Sequence, residues 1–289
     1  MSSTTIVRGY NIQLGYKEET TEGTMPDGTS TAPITYSYFG HVIGFTPTIN
    51  PNPQAVQPIG QRYPLVHLKG TLVVDVSIEY YPILIDPMQY ALSNVSKSIT
   101  IWEKIVDINS SLIYTGLKCN RLRIKGEVGK PLTVTQDFVG KTVSTTPPSY
   151  ASLPSVASAN PMHFPDQNVT LSGSSLSGKV IGFEADISNN IEPIYQLGDA
   201  TSVTKVERLL DVSGNITMTF SSISDLTDVL NLTSKTNLAL ILGKDSASTS
   251  RILTIPNIVW TSYPKPVRVG EILKITLPFK AQGSMPTLA

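Results

Sequence analysis

The sequence has little charge, a single cysteine and no long apolar run, and each absence excludes a class of protein. Only 15% of the 289 residues are charged, and 22 basic residues balance 22 acidic ones. A protein that holds nucleic acid through its phosphates needs a basic surplus, so specific DNA binding is not expected. The lone Cys119 excludes an internal disulfide framework. No apolar stretch reaches the roughly 18 residues of a membrane-spanning helix, so we expect no membrane anchoring.

The sequence also lacks a recognisable catalytic or metal-binding constellation. His41, His67 and His163 lie far apart and share no metal-ligand spacing, and there is no Gly-rich phosphate loop. The neighbouring carboxylates of Glu18 and Glu19 lie in a polar segment, where we expect solvent to surround both. We therefore expect no cofactor, no metal and no enzyme activity, with a site assembled from scattered polar groups as the remaining enzymatic alternative.

The chain repeats part of its own sequence. VIGFTPTINPNPQAVQPIG at residues 42–60 aligns without a gap with VIGFEADISNNIEPIYQLG at residues 180–198. We call the constant step from position 42 to position 180 the repeat offset. Seven of the nineteen positions are identical, including the opening Val-Ile-Gly-Phe. Such a match indicates an internal duplication, for which 289 residues provide enough length.

Two further segments predict a long strand in each copy. In LKGTLVVDVSIEY (68–80) and VSGNITMTFS (212–221), apolar and polar residues alternate with period two, as in a strand with one face on a core. Gly70 and Gly214 fall at the same place in the two patterns, which predicts a bulge or a close backbone approach there.

A short helix is predicted after each long strand, and the fold class is mainly β. The first helix would have Asp86 as N-cap and Pro87 as its first residue, and Ser224 would cap the second. Short runs rich in Val, Ile, Thr and Tyr, separated by Pro and Gly, predict a small β-sandwich or partly closed barrel in each copy. The predicted divisions are an N-terminal arm or loop (1–38), a first domain (39–141), a Ser/Pro-rich loop or linker (142–161) and a second domain (162–289).

One basic strand face stands out in NRLRIK. Arg121, Arg123 and Lys125 alternate with Leu122 and Ile124, so the three cations share one face. This face is either solvated or a subunit contact in which unlike faces of the two copies meet. A single-stranded nucleic-acid groove would need stacking aromatics beside it, and none is evident.

The second copy resembles the tail tube (major tail) proteins of long-tailed bacteriophages and archaeal tailed viruses. The resemblance depends on four segments: FPDQNVTLSG, GFEADISNNIEPIYQLGD, DVSGNITMTF and ILTIPNIVWTSYPKPVRVGEILKITLPFKA. The first copy matches the same scheme more loosely, because Pro51 and Pro53 stand where the second has Asn189 and Ile191. The similarity extends over about residues 40–285 without the Ser/Pro-rich stretch, and its motifs are moderately specific.

The resemblance implies a structural virion protein with two tandem tube-type domains. Such proteins form rings that stack into a hollow tail tube, through which viral DNA passes. A chain with two domains would need three copies for a pseudo-sixfold ring, with six copies as the alternative. Tape-measure and tail-terminator or tip proteins would be its partners, and the chain would be made in the host cytoplasm and reside in the virion tail.

The outward faces of the two long strands are the candidate lumen wall under this resemblance. The polar residues of these faces are Lys69, Thr71, Asp75, Ser77, Glu79, Thr217, Thr219 and Ser221. The arm (1–38) and the 144–161 stretch are candidates for ring-to-ring contacts. The alternative function is a β-sandwich of the virion that binds a receptor or glycan or decorates the particle.

Overall fold

Strands form nearly all of the regular structure. The computed structural model describes residues 12–92, 96–155, 159–172, 174–175, 179–219, 231, 233–245, 248–264 and 274–289. The first half contains β1 (Ile12–Glu18), β2 (Ile34–Thr35), β3 (His41–Asn50), β4 (Gln54–Val56), β5 (Val66–Leu68), β6 (Val73–Tyr81), α1 (Asp86–Gln89), β7 (Ile99–Ile105), β8 (Ser110–Glu127), β9 (Thr133–Val139), β10 (Thr142–Ser144) and β11 (Ala151–Ser152). The second half contains β12 (Asn168–Leu171), β13 (Ser174–Ser175), β14 (Val180–Ser188), β15 (Glu192–Ile194), β16 (Thr204–Val206), β17 (Asp211–Thr219), β18 (Lys235–Lys244), β19 (Ser250–Trp260), β20 (Lys274–Ala281) and β21 (Thr287–Leu288). Short 3-10 turns occupy Val106–Ile108 and Phe164–Asp166.

Eight antiparallel strands of one 15-stranded sheet run through both halves of the chain, and we call these eight strands the eight-stranded sheet. Their order is β3-β6-β9-β8-β14-β17-β20-β19, and the sheet continues through β18, β12 and β13. The first part of the long strand β8 also pairs with β7, which pairs with β1. The mainly β, sandwich-type class predicted from the sequence is therefore confirmed, and the strands of the described residues do not close into a barrel.

Period-two alternation places one face of this sheet on a single core. In β6 the side chains of Val74, Val76 and Ile78 are buried, whereas Asp75 and Glu79 on the opposite face are exposed. Buried residues of both halves belong to one contiguous apolar cluster. The two halves therefore share their core within the described part of the chain.

Corresponding elements of the two halves recur at the repeat offset. The first residues of β4, β5 and β6 are Gln54, Val66 and Val73, and the same step leads from them to the first residues of β15, β16 and β17. The pairing of β3 with β6 shifts register just after Val42, and that of β14 with β17 shifts just after Val180. The sequence repeat thus coincides with a repeat of strands, hairpins and a β-bulge.

Two local expectations need correction. The helix α1 forms where predicted, but its N-cap is Ile85, and Asp86 lies in the first turn. The second predicted helix, beginning near Ser224, lies outside the described residues. Gly70 and Gly214 do not occupy matching places, because Gly70 precedes β6 whereas Gly214 lies inside β17. Each does make the predicted close backbone approach, since an added Cβ would meet a carbonyl oxygen at 2.0 or 2.2 Å.

Parts of the two segments interpreted as arm and linker are strands. Residues 12–18 form β1, and the 142–161 stretch contains β10 and β11, which pair with β8 and β2. The expectation that Glu19 is solvated is wrong, because the residue is only 7% exposed. It accepts hydrogen bonds from two hydroxyls and two backbone N–H groups: Ser98 Oγ (2.6 Å), Thr100 Oγ1 (2.6 Å), Gly23 N (2.7 Å) and Gly116 N (2.8 Å).

Candidate functional site

One face of the eight-stranded sheet is polar across both halves, and we call it the polar face. Residues directly opposite each other on paired strands share a face. Thr48 lies opposite Asp75, Ser77 opposite Asp137, and the pairing continues from Asp137 to Arg121. Side chains of the polar face include Thr46, Thr48, Asp75, Ser77, Glu79, Thr135, Asp137, Arg121, Arg123, Lys125, Glu184, Asp186, Asn215, Thr217, Thr219 and Thr276.

The two residue sets predicted separately from the sequence lie on this same face. Asp75, Ser77 and Glu79 project from β6, and Thr217 and Thr219 project from β17. The three cations Arg121, Arg123 and Lys125 lie between these strands, on β8. Of the other candidates, Lys69 and Thr71 precede β6, where the Thr71 hydroxyl accepts a hydrogen bond from Asn52 Nδ2 (3.3 Å), and Ser221 lies outside the described residues.

The strands β6 and β9 form an acidic part of the polar face. The Ser77 hydroxyl donates a hydrogen bond to Asp137 Oδ1 at 2.6 Å. Burial raises the pKa of Asp75, and the nearby negative charge of Asp137 raises it further. Among the described residues, no Lys or Arg forms a salt bridge with Asp75, Glu79 or Asp137. This part of the face would therefore repel a polyanion.

The cations of β8 instead pair with the second half of the chain, at a contact that we call the seam. The seam joins residues 121–127 of β8 to residues 182–188 of β14 in antiparallel register. Arg121 forms a two-pronged contact with Asp186, with Nε donating to Oδ1 at 2.8 Å and Nη2 donating to Oδ2. Arg123 lies 3.5 Å from Glu184 and 3.4 Å from Asp186.

Opposite charges hold the ionisation states at the seam. Burial alone would raise the pKa of Asp186, but the hydrogen bonds and charges of Arg121 and Arg123 outweigh it and hold that pKa below its usual value. The sequence interpretation missed Glu184 and Asp186. Their signal was available, because Glu-Ala-Asp and Arg-Leu-Arg alternate with complementary charges at the period of a strand.

Two asparagines extend the seam beyond its strands. Asn189 donates its backbone N–H to the Asn120 carbonyl (2.8 Å) and its side-chain amide to the carbonyls of Cys119 (2.8 Å) and Ala91 (3.1 Å). Asn120 Oδ1 accepts the backbone N–H of Ile191 at 2.8 Å. These bonds fix the register between the two halves in a buried environment.

The described residues contain no grouping suited to metal binding, and their cysteine is buried. No three His, Cys, Asp or Glu side chains among them are placed to hold a metal ion. Burial raises the pKa of the Cys119 thiol to about 12, so this cysteine is unreactive at neutral pH. No helix in the described part of the chain is long and apolar enough to cross a membrane.

The comparisons with known proteins identify a family. No curated protein is detectably similar to the chain. A family model described as phage tail tube protein matches residues 9–281, which span nearly all of the 289 residues. The match includes every strand of the eight-stranded sheet and both sides of the seam. The chain therefore belongs to the phage tail tube protein family.

Proposed function

We propose that three copies of this chain join head to tail into a ring, and that rings stack into the tail tube through which viral DNA passes. Membership of a tail tube family supports a structural, non-enzymatic role in the virion tail. The single observation that carries the assembly is a difference between two equivalent strands, β3 and β14.

In the described sheet, β8 pairs along one side of β14, whereas the equivalent strand β3 is the last strand of the sheet. On β14 the core-facing side chains of Phe183, Ala185 and Ile187 are at most 5% exposed, because β8 pairs with this strand. The residue equivalent to Ile187 is Ile49, which is 42% exposed. Open strand edges with exposed apolar side chains favour pairing with another chain.

The seam provides the geometry of the contact between chains. If the two halves are duplicates, residues 261–264, which follow Trp260, correspond to the start of the part of β8 that pairs with β14. In the proposed ring these residues would meet β3 of the next copy. Such a head-to-tail contact closes into a ring when the rotation per copy fits a whole number of copies.

The strand count supports a ring of three. If only these eight of the 15 strands in the sheet line the bore, three copies contribute 24 strands. With about 4.8 Å between strands and a tilt of about 40°, the backbone circle would be roughly 50 Å across, wide enough for duplex DNA after side chains are added. Six copies would give 48 strands and roughly twice that diameter.

The polar face would line the bore. Its threonines, serines and the carboxylates of β6 and β9 offer no basic grip on phosphates, and its arginines are already engaged by Asp186 and Glu184. A conduit needs such a surface because bound counterions are displaced wherever cations neutralise DNA. Cryo-electron microscopy of tubes with Asp75 and Glu79 on the bore would support this assignment, and finding them on the outer surface would overturn it.

Ring stacking would use surfaces that the isolated chain leaves exposed. The tips of the β4–β5 and β15–β16 hairpins present Ile59 and Leu197, both fully exposed and related by the repeat offset. The arm and the 144–161 stretch remain candidates for the same contacts. A tape-measure protein in the bore and a terminator or tip protein at the tube ends would complete the tail.

Native mass spectrometry with negative-stain microscopy of the concentrated protein tests the assembly. Three times the chain mass of 31.3 kDa gives about 94 kDa for a ring of three. Hollow rings at that mass support the proposal. A particle of six chains would retain the tube but exclude the three-copy ring. A protein that stays monomeric even with its tape-measure and tip partners would overturn the proposal.

A further inference from the structure

The hairpin of the second half, β15–β16, lies on the first half, and we call it the docked hairpin. The Leu72 N–H donates to the carbonyl of Ala200 at 2.7 Å. The Tyr195 hydroxyl donates to the carbonyl of Leu72 at 3.1 Å. Both bonds join the hairpin to Leu72, the residue just before β6, so the docked hairpin covers the start of that strand.

A buried lysine of the docked hairpin makes further polar contacts with the first half of the chain. Lys205 on β16 is 4% exposed, and its ammonium donates to Glu22 Oε1 at 2.7 Å and to the carbonyl of Gly116 at 2.6 Å. Burial lowers the pKa of Lys205, and the hydrogen bond and charge of Glu22 oppose that shift. Lys118 lies 3.7 Å from Glu22 and 3.6 Å from Glu207 of the hairpin.

The hairpin of the first half, β4–β5, has the same register but no surface to lie on, and we call it the free hairpin. Ala55 pairs with His67 as Pro193 pairs with Lys205, and the repeat offset relates the two pairs. Every residue from 51 to 69 except Pro58 is exposed. The face that is buried in the docked hairpin is therefore open in the free hairpin.

The second half presents a surface that corresponds to the one beneath the docked hairpin. Leu210 precedes β17 as Leu72 precedes β6. Val259 pairs with Lys280 as Lys118 pairs with Val139, so Val259 stands in the place of Lys118. A groove beside these positions is lined mostly by uncharged residues, among them Leu210, Val212, Ala281 and Met285, together with Glu207 and Arg208.

We infer that the free hairpin docks in this groove on an adjacent copy of the chain. The inference rests on the proposed head-to-tail ring and names the partner of the free hairpin within it. The carbonyl of Arg62, equivalent to Ala200, would accept the N–H of the neighbour's Leu210. His67 would take the place of Lys205 and lie near Val259, which takes the place of Lys118, so neither lysine of the docked hairpin has a counterpart in this contact.

A disulfide across the contact tests the inference. An N–H to carbonyl bond of 2.7 Å, as between Leu72 and Ala200, brings the two Cα atoms into the range of about 4.4–6.8 Å that a disulfide spans. The double variant Arg62→Cys/Leu210→Cys is oxidised in the assembled protein and run on a non-reducing gel. We expect covalent dimers and trimers. The native Cys119 is buried and does not compete.

The matched control is Leu72→Cys/Ala200→Cys, which should cross-link within one chain without a gain in mass. Rings that form without a cross-link between chains would overturn the hairpin contact and leave the ring intact. Protein of the double variant that shows neither rings nor cross-links, while the wild type also stays monomeric with its tape-measure and tip partners, would overturn both.

Two charge variants on the free hairpin give a second readout. Ala55→Glu places a carboxylate on the face equivalent to the buried face of the docked hairpin, whereas Gln54→Glu adds the same group on the opposite face. Burying an unpaired charge is costly, so we expect Ala55→Glu to reduce the ring fraction about tenfold or more. Gln54→Glu should leave it unchanged. Equal behaviour of the two variants would overturn the inference.

Discussion

Removing the Asp186 carboxylate should destabilise the chain by breaking the ion pairs of the seam. Asp186 accepts two hydrogen bonds from Arg121, and its side chain is 19% exposed, against 41% for Arg121. Hydrogen bonds to charged groups contribute about 1.5–3 kcal/mol each, whereas exposed pairs contribute about 0.2–1 kcal/mol. Because Arg121 stays partly solvated, we expect Asp186→Ala to lower the free energy of unfolding by about 1.5 kcal/mol in total.

A double-mutant cycle isolates the pair from other effects of the substitutions. Asp186→Ala, Arg121→Ala and the double variant are unfolded in urea and followed by tryptophan fluorescence. We expect a coupling of about 1 kcal/mol in a single transition, since residues in one ion-pair network are not additive. A coupling within the additivity error of about 0.3–0.5 kcal/mol would refute the contact. Two separate transitions would refute the shared core.

The pH dependence of the same pair has a defined sign. The folded-state pKa of Asp186 is below its usual value, so the unfolded state binds the proton more tightly. The stabilisation is therefore fully present above the unfolded-state pKa of about 3.9 and is lost as pH falls through the folded-state pKa. Wild type and Asp186→Ala should converge in stability at acid pH, and a difference that persists there would contradict the assignment.

Three other substitutions probe the edge, the buried carboxylate and the close backbone approach. Ile49→Asp should abolish ring formation while changing the unfolding free energy of the single chain by less than about 0.5 kcal/mol, whereas Thr48→Asp, on the polar face of the same strand, should still form rings in native mass spectra. Glu19→Gln should cost about 2–4 kcal/mol in urea unfolding, because an amide group replaces an acceptor that faces buried donors. Gly214→Ala should cost about 1–3 kcal/mol by the same measurement, because its Cβ would meet Glu184 O at 2.2 Å. A value near zero for either of the last two would contradict the described packing.

The sequence predicts the local pattern of this fold better than its pairing. Alternation identified β6 and β17, but a period of two shows only which residues share a face of a strand. Aligning Gly70 with position 214 or with position 208 gives the same alternation, because the two positions differ by an even number of residues. Gly70 and Gly214 were matched for that reason, although the repeat offset leads from Gly70 to Arg208. Only the ungapped repeat at residues 42–60 carried the true spacing, because its Gly and Asn positions are not periodic.

Features that depend on distant partners were not accessible from the sequence. The seam joins strands about 60 residues apart along the chain, and local sequence propensities do not predict such a long-range contact. Glu19 appeared solvated because its neighbours in sequence are polar. Its actual neighbours are Ser98, just before β7, Thr100 of β7 and Gly116 of β8. The polar face was recognised strand by strand, whereas its continuity through both halves follows from the sheet order.

The proposed ring contains two kinds of contact: the seam within one chain and the contact of β3 with the next copy. They differ in the entropy that is lost when they form, and their residues differ accordingly. Association of separate chains loses about 4–15 kcal/mol of translational and rotational freedom, whereas halves linked on one chain avoid most of that loss. The linked seam can therefore use charge pairs, which fix register but add little net stability. The edge strand β3 carries Thr46 and Thr48 where β14 carries Glu184 and Asp186, and it exposes Ile49 for burial. An edge without carboxylates also pairs poorly with the arginines of β8, because their charges would lose their partners. The contact between chains would then be directed to the second half, in the register that closes the ring.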